Sequence, residues 1–293
     1  MNSISIDISG RIDPERIAVL RGIKDVADEL GIRFFVVGAF ARDVIFEHIH
    51  RIPAPRITED IDIGVEVASW EEFHRLTGTM SERDILDPTT LPYRFSARRF
   101  PAVVDIVPYG VISGQTKSIS WPPDHQRVMS MLGFEEACQS ALRVQFSTGP
   151  PLEILVPSVP ALAIMKIISW NDAYPSRERD ASDLLFILES YGSTNVLSKL
   201  YEFHVPLLTE EEYDPRFASV RLLGREIALL GRVETVRTIE EILERETDED
   251  RSLRMLADMV RGVSFRSDNI QAALQLLKKL LQGIKEERSR DWP

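Results

Sequence analysis

Thr58-Glu59-Asp60-Ile61-Asp62-Ile63-Gly64-Val65 sets two carboxylates one residue apart in a segment whose apolar residues ask for a buried strand. In an extended chain, residues i and i+2 share a face, so Asp60 and Asp62 project side by side while Ile61 and Ile63 project to the other. Two acids among apolar neighbours are costly to bury without a compensating cation, and oxygen-only ligands suit Mg²⁺ with its retained waters. The spacing alone has little specificity, since Asp248 and Asp250 repeat it. That second pair lies in the polar run Glu246-Thr247-Asp248-Glu249-Asp250-Arg251, which reads as a solvated loop joining two helices. Context separates the two.

Upstream, the apolar, β-rich run Ile32 to Val37 meets Gly38-Ala39 and passes into helical spacing through Arg42, Asp43 and Phe46. The pattern predicts a strand, a tight turn and a helix. Backbone N–H groups at such a turn can approach an anion, and the helix dipole favours negative charge there, so a phosphate could sit at Gly38-Ala39. The competing reading is that Gly38 only lets the strand turn into a packed helix. Downstream, Asp105 stands in the middle of the hydrophobic run Ala102 to Pro108. Asp is a poor strand former and is rarely buried unpaired. A shared metal accounts for it: carboxylates on adjacent strands could hold two ions roughly 4 Å apart, the arrangement of in-line nucleotidyl displacement. An ion pair with Arg98 or Arg99 on the sheet surface is the alternative.

Farther along, Ser158 is a candidate N-cap with Pro160 in the first turn of a helix whose apolar stretch carries one cation, Lys166. That lysine can snorkel to water or reach an anionic ligand. After a connector, Asp180 and Asp183 are i, i+3 neighbours near the start of the next helix, with Arg177 and Arg179 close by. Carboxylates there also serve simply to favour the helix N-terminus.

The order apolar strand, Gly38-Ala39 turn, Arg42-Asp43, Asp60-x-Asp62 and strand-borne Asp105 resembles the polymerase-β type nucleotidyltransferase superfamily over about residues 15–190. The Val156-Pro157-Ser158 start, the one-lysine helix and Arg179-Asp180-x-x-Asp183 resemble its AbiE-type toxin branch in particular. The resemblance implies an α/β (α+β) nucleotidyltransferase domain with a short mixed sheet in residues 1–155. A helical domain follows in 156–293, with 156–190 completing the active site and 195–293 forming a bundle. It implies catalytic roles for Asp60, Asp62, Asp105, Lys166 and Asp180, with Asp60, Asp62 and Asp105 as ligands of Mg²⁺, two ions in the reacting complex. Nucleotide contacts would come from Gly38, Ala39, Arg42, Asp43, Lys166 and Asp183. The superfamily commonly has Gly-Ser or Gly-Gly at the turn; Ala39 offers no hydroxyl, so phosphate contact there must come from backbone N–H groups. The implied reaction moves a nucleoside monophosphate from an NTP to an acceptor hydroxyl, with RNA or a tRNA end as acceptor and an antitoxin protein as partner. Transfer to a small molecule such as an aminoglycoside, and a nucleotide- or partner-binding module without turnover, are the competing functions.

A chain of 293 residues holds one large or two modest domains. A net charge of -11 argues against a broad, non-specific polyanion binder. An RNA substrate would need a local basic surface, for which Arg94, Arg98 and Arg99 with Tyr93, Phe95 and Phe100 are the candidates; arginines alternating on a half-exposed strand are the other reading. The one cysteine, Cys138, excludes an intramolecular disulfide and offers no basis for a zinc site. The opening residues Met1 to Asp7 have neither the basic nor the apolar region of a leader, and Pro157, Pro160 and Lys166 interrupt the apolar stretches. A cytoplasmic protein without membrane contact is expected. Beyond about residue 195 the pattern predicts amphipathic helices over 217–230, 233–245, 251–263 and 269–284, then a frayed tail over 285–293.

Overall fold

The computed structural model describes residues 5–251, 253–261 and 267–291. The first four residues, the end of the helix expected at 251–263 and the last two residues of the tail lie outside the described residues. The chain divides into two compact units, Met1–Ser158 and Val159–Pro293.

The first unit opens with β1 (Ile6–Asp7) and α1 (Pro14–Leu30). Asp13 caps α1 by accepting from the Glu15 N–H at 2.7 Å, Pro14 fits the first turn, and Gly31 ends the helix in the left-handed region. Val19, Leu20, Ile23, Val26 and Ala27 form its buried stripe. There follow β2 (Phe34–Val37), α2 (Gly38–Asp43) running on into a π-helical turn at Val44–Ile49, β3 (Ile61–Glu66) and α3 (Trp70–Glu82). Then come β4 (Leu86–Pro88), β5 (Arg94–Ala97), β6 (Val103–Tyr109), β7 (Ser118–Ser120), β8 (Val128–Ser130), α4 (Phe134–Gln139), β9 (Leu142–Thr148) and β10 (Pro151–Val156).

Five strands form a mixed sheet in the order β2-β3-β6-β5-β4. β3 and β6 are its parallel pair, and β2, β5 and β4 join antiparallel. Ile61, Ile63, Val65, Val104 and Ile106 are fully buried, which commits one face of the central strands to the core. A smaller sheet, β1-β9-β10, and the β7-β8 hairpin complete the unit. Strands β4, β7, β8, β9 and β10 were not expected from the sequence; β4, β7 and β8 are only three residues long, whereas β9 does alternate, with Val144 and Phe146 buried.

The second unit is helical throughout: α5 (Val159–Ala173), α6 (Glu178–Ser190), α7 (Val196–Phe203), α8 (Val205–Glu210), α9 (Pro215–Leu230), α10 (Val233–Thr247), α11 (Arg254–Met259) and α12 (Ser267–Asp291). Gly224 on α9 and Gly283 on α12 let two backbones meet. A Cβ on Gly224 would overlap the Leu280 carbonyl, and one on Gly283 the Arg221 carbonyl. The stripe Ala273, Leu274, Leu277, Leu280, Leu281 and Ile284 is buried.

α7 and α8 lie in the part of the expected bundle for which no individual helix was delimited. Two helical expectations are corrected. The helix expected from 251 begins only at Arg254. The described part of the tail is helical to Asp291, because Glu286 accepts from Arg221 and Arg225 at 2.8 and 2.7 Å and so holds α12 to α9. In the polar run that spans the end of α10, Asp250 is exposed but Glu246, in the last turn of the helix, is 0% exposed; it accepts from the Met255 N–H at 3.1 Å and from Arg245 and Arg254. It therefore ties α10 to the start of α11. No helix among the described residues is long and apolar enough to cross a membrane.

Candidate active site

In the mixed sheet, Val37, Asp62, Asp105 and Arg94 are successive partners across β2, β3, β6 and β5. Registered neighbours present their side chains to one face, so this row brings two carboxylates and a guanidinium together on the face opposite Ile61 and Ile63. Asp60, two residues before Asp62, shares that face. The core burial of the isoleucines fixes the register, because a slip of one residue would send the acids inward.

The Gly38 turn belongs to the same row. Gly38 has φ +67, and a Cβ there would overlap Oδ2 of Asp62. Both readings of this glycine thus meet in one position: it turns β2 into α2, and it leaves room for a carboxylate against the turn. No side chain caps the start of α2. Gly38→Ala is expected to cost about 1–3 kcal/mol through the left-handed backbone and to displace Asp62. A fall in melting temperature together with loss of function measures this; a variant as stable and active as the parent contradicts it.

Arg42 and Asp43 form a buried ion pair at the end of α2. Arg42 is 0% exposed, donates to Asp43 at 2.9 Å and reaches the Thr58 hydroxyl at 3.1 Å. From the other side, Arg16 donates to the Thr58 carbonyl. Arg42 thereby fixes the segment that leads into Asp60. Half-buried His48 and His50, both held below their ordinary pKa by burial, follow on the π-helical turn and its end.

Arg94 was expected in a basic patch and proves to be the cation of the carboxylate face. Its Nε and Nη2 donate to the two oxygens of Asp105 at 2.8 and 2.7 Å, and Nη2 also reaches Asp60 at 3.1 Å. Hydrogen bonds to Asp105 first, opposed by partial burial, and then the charges of Asp105 and Asp60 hold its pKa well above the usual arginine range. Arg98, the anticipated partner of Asp105, instead grips Asp87 and Asp84, and Phe95 is buried. The proposed patch is therefore dispersed. The signal for Arg94 lay in the sequence: in a hairpin folded about Arg99 and Phe100, Arg94 falls opposite Asp105.

Among the described residues, no three His, Cys, Asp or Glu side chains close into a metal-holding group. The three expected ligands lie on one face, with Asp60 and Asp105 bridged by Arg94. Their chemistry fits a hard divalent cation. All donors are carboxylate oxygens, Asp62 and Asp105 are directly adjacent in register, and the face already gathers a positive charge.

In the second unit, Lys166 is 5% exposed and donates to Asp180 and Asp183, each at 2.7 Å. The snorkelling reading is thereby overturned. Burial pushes the ammonium's pKa down, but the two carboxylates outweigh it and the balance is upward. Asp180 also accepts from Ser169 at 2.9 Å, and Ser169 from Arg177 at 2.8 Å. Two of the three ammonium N–H groups are thus engaged by carboxylates.

A family model described as nucleotidyl transferase AbiEii toxin, Type IV TA system, matches residues 24–276. No curated protein matches the chain. Solved structures similar to it include the solution structure of the antibiotic-resistance factor ANT(2'')-Ia, at 15% identity and TM-score 0.35, covering 69% of this chain and 99% of that one. Others are the Thermotoga maritima CCA-adding enzyme complexed with tRNA, at 15% identity and TM-score 0.26, covering 94% of this chain and 82% of that one, and the Elizabethkingia meningoseptica CdnE cyclic dinucleotide synthase, at 11% identity and TM-score 0.28, covering 90% and 89%.

Proposed function

Because the chain belongs to the AbiEii nucleotidyl transferase toxin family, we propose that it transfers a nucleoside monophosphate from an NTP to an acceptor hydroxyl in a divalent-cation-dependent reaction, with RNA as the acceptor. The observation that carries this reading is the registered pair Asp62 and Asp105, with Asp60 on the same face and the Gly38 turn against Asp62. Asp60, Asp62 and Asp105 would hold Mg²⁺, which when bound neutralises phosphate charge and lowers the pKa of the attacking hydroxyl. The chain's own part is positioning. Arg42 and Arg16 fix the approach to Asp60, and the sheet register holds Asp62 beside Asp105. Chemistry of this kind depends on prearranged charge more than on covalent steps. Membership of a toxin-antitoxin family also supports an antitoxin protein as partner.

A net charge of -11 favours a second acceptor class, small cationic molecules. Incubation with Mg²⁺, total RNA, hydroxylated cationic small molecules such as aminoglycosides and each α-labelled NTP separates the two. Label in RNA is the expected result. Label confined to the small-molecule fraction would move the acceptor, and protection against heat by Mg·NTP without label in any fraction would point to a binding module.

A further inference from the structure

Arg94 contacts two of the three carboxylates through a planar fork matched to carboxylate geometry. Its setting differs from that of the other arginine pair near the site. Arg42 and Asp43 are 0% and 9% exposed in their side chains, a fixed pair. Arg94 and Asp60 are 36% and 40% exposed, with Asp105 at 13%. The contact with Asp60, open to water on both sides, is weak and reversible, and the forked contact with Asp105 is the stronger of the two. One positive charge against three carboxylates also leaves the face net negative, so it still attracts a second cation.

We propose that Arg94 is a positioning residue that competes with the divalent cation for Asp60 and Asp105, holding the carboxylate face closed until an ion displaces it. This rests on the nucleotidyl-transfer reading of the same face. Without the guanidinium, three like charges would repel and the empty face would be poorly ordered; with it, the carboxylates stay in place for the ion. Closure reduces apparent affinity by the fraction of molecules in the open state, so a face closed in about nine molecules of ten binds the cation roughly tenfold more weakly.

Calorimetric titration of the full chain with Mn²⁺, without nucleotide, tests this on the parent, Arg94→Gln, Arg94→Lys and Asp60→Asn. The expected result is binding about tenfold tighter in Arg94→Gln, less tightened in Arg94→Lys, and weakened in Asp60→Asn. Arg94→Gln should also melt lower than the parent without metal and regain that loss with Mn²⁺. If Arg94→Gln does not fold, Arg94→Lys carries the test, since it keeps the charge but not the fork. Unchanged or weaker binding in a folded Arg94 variant, with Asp60→Asn still impaired, overturns the competition and leaves the transferase reading standing. Absence of Mn²⁺ binding in parent and Arg94 variants alike overturns both.

Discussion

Asp62→Asn is expected to lower nucleotidyl transfer by about a thousandfold, a loss near 4 kcal/mol of transition-state stabilisation, while the protein remains as stable as the parent or more so. The amide is isosteric, so it fits the space that Gly38 leaves against Asp62. It removes one negative charge from the face on which Arg94 bridges Asp60 and Asp105, and leaves that bridge intact. A residue retained for folding loses stability when its charge goes; one retained for charge on a reacting phosphate loses rate. Asp105→Asn makes a harder comparison, because it also takes one acceptor from the Arg94 fork. The pair of variants measured for initial rate and for melting temperature therefore separates chemistry from architecture. A marked fall in the melting temperature of Asp62→Asn with rates near the parent's would assign the acid to the fold and remove the basis of the transferase reading.

The carboxylate face was legible because it breaks a rule. Acids inside the runs Asp60 to Val65 and Ala102 to Pro108 contradict the burial that their neighbours demand, and period-two alternation then gives their common face directly. The glycine turn was legible for the same reason, an apolar strand halted at a residue free of steric restriction. What the sequence concealed were partners distant along the chain. Arg42 looks like a residue of the turn, yet it is buried against Thr58, sixteen positions on. Arg94 looks like one of several arginines, and only the β5-β6 register gives it Asp105 rather than Asp87. Glu246 sits in the most polar run of the second half and is nonetheless buried, since three donors from two helices converge on it. Local propensity carries no information about such pairings; they follow from tertiary contacts that form only once the elements have docked.

Lys166→Ala is expected to destabilise the second unit by about 3–5 kcal/mol, the cost of leaving buried charge without its partner. Asp183 is 0% exposed and Asp180 6%, so neither can turn to water when the ammonium is removed. Ser169 and Arg177 compensate Asp180 in part, with Arg177 Nε 3.4 Å away. The triple replacement Lys166→Met, Asp180→Asn, Asp183→Asn removes the charges together and should recover most of the stability, because desolvation of the ions and their mutual attraction nearly cancel. Denaturant melts of the single and triple variants give the two numbers. The same proteins then decide what the lysine is for. A triple variant that is stable and transfers label at the parent's rate makes Lys166 the neutraliser of two buried acids. One that is stable and slow, with a raised KM for NTP that the double variant Asp180→Asn, Asp183→Asn does not share, gives Lys166 the phosphate-binding role that the family resemblance implies.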